Sequence, residues 1–202
     1  MKSISRYLAP SGVFALASFG MVFLSSCGGE KEKEKPAVEE TSESASSSVI
    51  EEVFLSEKPT DASPVLALRK VGKPGDKVVV FGKIGGAMKP FTEGFATFIL
   101  ADRTLKTCDL NPEDLCETPW DACCADPDVI KASRLTVQIV DGDRFPIEKG
   151  LRTVNGLSEL DELVVVGEVA EGSNADNMIV NATGIFLEKQ WVAAKGAAAK
   201  EG

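Results

Sequence analysis

Four cysteines crowd into one short stretch of the chain: Cys108, Cys116, Cys123 and Cys124, in the frame CDLNPEDLCETPWDACC. Thiols concentrated in this way can cross-link a loop, bind a soft metal or switch with redox state. In an exported chain an even number of cysteines is expected to form disulfides, here two. Four cysteines allow three pairings, one of which joins the adjacent Cys123 and Cys124 and strains the peptide between them. The other two tie Cys108 and Cys116 to the vicinal pair. Each closes roughly 8 to 16 residues and contributes about 2 to 3 kcal/mol in the chain-entropy view. The metal reading gives the four thiolates to zinc, copper(I) or an iron-sulfur cluster. Against it, the spacing C-x7-C-x6-C-C lacks the C-x2-C knuckle that brings two sulfurs onto one ion. The redox reading needs an activating base or lysine. The neighbours Asp121, Ala122, Ala125 and Asp126 instead raise a thiol pKa. Disulfides are the leading expectation, with no metal and no cofactor. Trp120, between the cysteines, is either a platform for a sugar ring or base or a cover over the disulfides. The cover is favoured.

The rest of the chain offers little catalytic chemistry. Its 202 residues include no histidine, which removes Ser-His-Asp and Cys-His catalysis, histidine zinc sites and histidine-ligated haem. There is no Gly-x-Ser-x-Gly, no phosphate-cradling glycine loop and no dinucleotide fingerprint. Asp102, Asp121, Asp141 and Asp143 offer carboxylates, but in turns they are expected to be solvated. The short acidic turns Asp141-Gly142-Asp143 and Asn174-Ala175-Asp176-Asn177 complete no calcium loop. No enzyme is expected, and no catalytic residue.

The N-terminus carries an address. Lys2 and Arg6 precede an apolar run from Leu8 to Leu24, followed by Leu24-Ser25-Ser26-Cys27. This resembles the bacterial lipoprotein signal with its lipobox. The resemblance implies that residues 1–26 are removed and that Cys27 is lipidated and anchors the chain to a membrane, facing the periplasm or the cell exterior. A single spanning helix is the alternative, and Pro10, Gly12 and the polar residues after Cys27 oppose it. Gly28 rather than Asp after the cysteine resembles the outer-membrane form of the sorting signal. Removing Lys2 and Arg6, with no acidic residue among the first 26, takes the net charge from −9 to −11. So acidic a body is repelled by nucleic acid and by anionic membrane surfaces, which leaves membrane attachment to the lipid.

Residues 27–59 begin GGEKEKEKPAVEETSESASSSV after the cysteine, too polar to offset their ordering entropy, and are expected to be a disordered tether. Residues 191–202 read as a flexible Ala/Lys tail. One domain, 60–190, lies between. Asp61 or Ser63 is expected to cap a short helix carrying Val65, Leu66 and Leu68. Strands are expected over Lys77–Gly86, Phe95–Ala101, Arg134–Val140, Leu163–Val169 and Met178–Leu187. Gly82, Gly85 and Gly86 mark a bend in the first, and Leu157, Leu160 and Leu163 suggest one or two helical turns before the fourth. The chain is thus mainly β. The order resembles the OB-fold: a small five-stranded barrel with a short helix between strands 3 and 4, and here a long Cys-rich insertion, residues 103–133, between strands 2 and 3. Another antiparallel barrel or sandwich is the alternative. The string Cys-x-Thr-Pro-Trp-Asp-x-Cys-Cys, after GKIGG and a Pro-Phe, is similar to that of uncharacterised exported lipoproteins of planctomycete- and verrucomicrobia-like bacteria. That similarity implies a shared lobe and compartment, and no activity.

The expected function is a membrane-anchored, non-catalytic binding or scaffolding module for an envelope protein or glycan. The alternative is metal or redox handling by the four thiols. OB-type nucleic-acid binding comes third, because Lys73, Lys77, Lys83, Lys89, Arg103 and Lys106 are scattered among acids and no tyrosine follows Tyr7.

Overall fold

The computed structural model describes residues 39–111 and 116–192. The signal sequence, Cys27, the tether up to residue 38 and the tail from residue 193 lie outside the described residues. Among the described residues no helix is long and apolar enough to cross a membrane.

Five strands close a barrel. β2 (Lys77–Ile84), β3 (Thr97–Ala101), β4 (Arg134–Gln138), β5 (Glu162–Val169) and β6 (Ile179–Lys189) pair in the order β2-β3-β4-β6-β5, and β5 returns to β2. β4 and β6 run parallel, and the other barrel pairs are antiparallel. This is the OB-fold arrangement that the sequence order implied. Alternation along the strands sets which side faces in. Phe98 and Leu100 of β3, Leu135 and Val137 of β4, and Val80 and Ile84 of β2 are all buried in one core with Leu163, Val165, Val180 and Ile185. β3 pairs with β2 only at Lys83 and Ile84, and the two-residue β1 (Ser63–Pro64) takes part of the vacated edge, parallel to Val80 and Phe81. Gly82 permits this crowding: a Cβ there would lie 2.5 Å from the Ala101 carbonyl oxygen and 2.8 Å from Leu100 Cγ.

Among the described residues three α-helices accompany the barrel; one was expected, though not its cap, and two were not. α1 (Glu39–Val53) occupies much of the segment expected to be tether. Its end carries Ile50 and Val53 into the core, Phe54 bridges to Ile185, the Leu55 N–H bonds the Ile185 carbonyl at 2.8 Å, and Lys58 pairs with Glu188 at 2.6 Å. The disordered reading of residues 27–59 is therefore corrected for residues 39–59. The Glu/Ser-rich composition conceals four apolar residues, Ile50, Val53, Phe54 and Leu55, that find a groove. α2 (Val65–Val71) forms as expected, but neither Asp61 nor Ser63 caps it. Pro64 stands at the N-cap, and the carboxylate of Asp102, from the far end of β3, accepts the Leu66 N–H at 2.8 Å. α3 (Pro127–Ala132) lies inside the insertion that had read as loop. The helical element between β4 and β5 is a single 3-10 turn, Val154–Gly156, flanked by the buried Leu151 and Leu157. Leu160 is instead left-handed (φ 68°), with its N–H on the Ile84 carbonyl, and Leu163 belongs to β5.

Replacing Ile50 by Ala is expected to lower the unfolding free energy by about 2–5 kcal/mol, read as a shift in urea midpoint. A midpoint unmoved by the substitution would return residues 39–59 to the tether.

Candidate metal centre

The insertion between β3 and β4 leaves and re-enters neighbouring strands, so its ends must meet. They do so at the Asp102 N–H, which bonds the Ser133 carbonyl at 2.7 Å; both residues are buried. Asp102 is not the solvated turn residue that the sequence suggested. Its carboxylate accepts from the Thr104 N–H at 3.0 Å, the Thr104 hydroxyl at 2.6 Å and the Leu66 N–H. Burial alone would raise its pKa. The hydrogen bonds from Thr104 and Leu66 and the nearby Lys83 ammonium outweigh it and hold the carboxyl below its ordinary value.

Beyond this neck the chain folds into a lobe with a small core of its own, in which the buried Leu105 and Ala122 sit on Ala101 of the barrel and Ala125 and Ile130 pack against them. Two backbone bonds bring the two halves of the insertion together: the Cys108 N–H to the Asp121 carbonyl at 2.9 Å, and the Asp109 N–H to the Pro119 carbonyl at 2.8 Å. A 3-10 turn over Cys108–Leu110 and a tight turn closed by the Ala125 N–H on the Ala122 carbonyl then present the sulfurs to each other. α3 leads back to β4. Asp126 caps it through the Asp128 N–H, with Pro127 at the first position, a pairing visible in the sequence as Asp-Pro-Asp but not used there.

The lobe is fastened to the barrel at two further places. Lys83 of β2, buried, donates to the Thr107 hydroxyl at 2.7 Å, which donates to Asp109 at 2.5 Å. Burial lowers the Lys83 pKa, while Asp109, Glu162 and Asp102 pull it back up. On the other flank Gly86, at φ 76°, gives its N–H to the Trp120 carbonyl at 2.8 Å and takes Arg134 Nη1 on its own carbonyl at 3.0 Å. The Trp120 indole N–H reaches the Met88 carbonyl at 3.0 Å. Trp120 is thus a latch onto the bend after β2. One side of it lines a cavity of about 290 Å³ with Pro90, Phe91, Arg152 and Glu159. GKIGG and the Thr-Pro-Trp segment are therefore two halves of one contact, a link that spacing alone does not reveal.

The four thiols are brought together but not bonded. Cys108 Sγ lies 3.6 Å from Cys123 Sγ, and Cys123 Sγ lies 3.8 Å from Cys124 Sγ, where a disulfide needs about 2.05 Å. The two disulfides expected among Cys108, Cys116, Cys123 and Cys124 are not formed in this structure: among the described residues no two sulfurs lie at bonding distance. The sulfurs of Cys108, Cys116 and Cys123 converge within 4.8 Å of one another. Thiolates around one ion at about 2.3 Å would be about 3.8 Å apart in a tetrahedron and about 4.0 Å apart in a plane, so this spacing suits a single soft ion. An iron-sulfur cluster, which spreads its cysteines around several irons, would want them wider apart. Cys108 is buried and Cys116 half-buried, whereas Cys123 and Cys124 are exposed. Burial, with hydrogen bonding to Cys123 and Cys116, pushes the Cys108 thiol up to about 12.

No family model matches the chain, and no curated protein matches it. Among solved structures, a chain described as a "putative aspartyl-tRNA synthetase" from Leishmania major Friedlin is similar, with a TM-score of 0.38 and 11% identity. The match covers 75% of this chain and 27% of that one. It carries no inference about function.

Alkylation of the native apoprotein is expected to modify the exposed Cys123 and Cys124 first and Cys108 last, because Cys108 is buried and its thiol is held protonated. Peptide mapping reads the order. Equal labelling of Cys108 and Cys123 at neutral pH would contradict the described burial.

Proposed function

We propose that the protein is a non-catalytic module of the bacterial envelope, lipid-anchored at Cys27, whose ligand is a thiophilic d10 metal ion held by the cysteine lobe. The observation that carries this is the convergence of three unbonded sulfurs within 4.8 Å on a lobe pinned to a rigid barrel. Soft thiolates select zinc or copper(I) over magnesium, calcium or manganese. The bonds that orient the site, Cys108 N–H to Asp121 and Lys83 to Thr107, lie outside it, as the supports of a metal site do. The lipid and the tether would supply the location, and the barrel the scaffold.

Ordinary thiols at neutral pH hold their protons, and Cys108 most of all, so ion binding must displace them. Affinity therefore rises with pH. A neutral or glycan ligand on Trp120 would show no such dependence. A glycan or protein partner remains the second reading, supported by the cavity beside Trp120. Nucleic acid is disfavoured by the acidic surface.

The mature protein, purified anaerobically from an exporting host, is expected to bind one zinc or copper(I) ion per chain by native mass spectrometry. Cys108→Ser should weaken binding by more than the roughly 10–100-fold that loss of an outer hydrogen-bond partner costs. A mass showing two disulfides and no ion taken up after mild reduction would contradict the proposal.

A further inference from the structure

The site is lopsided, and the asymmetry bears on which ion it takes and how the ion leaves. Three sulfurs converge, and among the described residues no histidine, carboxylate or further thiol joins them as a fourth ligand at that spacing. Among the described residues, Asp109 accepts from the Thr107 hydroxyl and Asp121 from the Ala122 N–H at 2.8 Å. A structural zinc site closes with four protein ligands and is shielded. Copper(I), softer and content with two or three thiolates, needs no fourth. Cys124 stands just outside the trio, its sulfur 3.8 Å from that of Cys123. It lines a cavity of about 390 Å³ whose wall also includes Cys108, Leu110 and Lys106. The buried sulfur is thus reached from outside past an exposed thiol, with a lysine on the cavity wall. A three-thiolate copper(I) complex carries a charge of −2 from its ligands and ion together, which Lys106 partly offsets.

Resting on the metal reading above, we propose that Cys108, Cys116 and Cys123 form a three-coordinate copper(I) site, and that Cys124 is the outer thiol through which the ion passes to or from another thiol carrier. In the transfer, the Cys124 sulfur forms a bond to copper as one copper–sulfur bond of the trio breaks, and the Cys124 proton moves to the sulfur released. The carrier's thiol then repeats the exchange with Cys124. Copper stays at the +1 state throughout, and no oxidant or reductant is consumed.

The test uses the mature protein loaded anaerobically with one copper(I) per chain and challenged with dithiothreitol, with transfer followed by a chromophoric copper(I) chelator downstream. The expected rate rises linearly with dithiothreitol, and excess zinc does not displace the copper. Cys124→Ser keeps one copper per chain but slows transfer by about tenfold or more, as expected when a nucleophilic thiol in an exchange pathway is lost. A rate independent of the dithiol, or unchanged in Cys124→Ser, overturns the exit role. Loss of copper stoichiometry in Cys124→Ser shows a closed four-thiolate site and overturns the three-coordinate assignment. Displacement of copper by zinc overturns the choice of ion. Failure to bind either metal is a different result, and it removes the metal reading itself.

Discussion

Asp102 joins the barrel, a helix and the lobe at one buried carboxylate. Its backbone N–H closes the neck of the insertion on Ser133, its side chain supplies the missing cap of α2 at Leu66, and Thr104 uses the remaining acceptor capacity. A buried carboxylate is costly unless each oxygen is satisfied; here three donors satisfy it, and the Lys83 ammonium lies near enough to lower its pKa further. Everything beyond the neck inherits its position from this arrangement. A 31-residue excursion between two adjacent strands would otherwise be a loop with unfixed geometry, unable to hold three sulfurs within 4.8 Å.

The barrel matters to the thiols mainly as a rigid floor. Ala101 carries the lobe's small core, Lys83 reaches up to Thr107, and Gly86 donates its N–H to the Trp120 carbonyl beside Gly85, where an added Cβ would lie 2.8 Å from that same oxygen. Three separate attachments fix the lobe in three dimensions, which a disulfide-stapled loop would not require. Cys123 and Cys124 are exposed directly after the buried Ala122, so the same lobe is firmly placed and still presents sulfur to solvent.

The strands were legible because their alternation is local: Arg134–Gln138 reads inside-out on every second residue, and Gly82 announces the crowding at β2. The capping of α2 was not, because its acceptor comes from Asp102, far along the chain. α1 was hidden by the polar composition around Ile50 and Val53, whose burial depends on a groove that no window of sequence contains. For the cysteines the sequence supplied number and neighbourhood but not distance. Spacing of C-x7-C-x6-C-C argues against a metal knuckle, yet the Cys108–Asp121 and Asp109–Pro119 backbone bonds bring the same residues together without one. Disulfides were the reasonable expectation from count and compartment. Three-way convergence is a tertiary fact.

The central claim is that the lobe holds its ion with three sulfurs. X-ray absorption at the metal edge of the copper-loaded mature protein measures this directly. The account predicts three sulfur neighbours at about 2.3 Å and no oxygen or nitrogen in the first coordination sphere. Four sulfurs, or a sphere completed by light atoms, would contradict it.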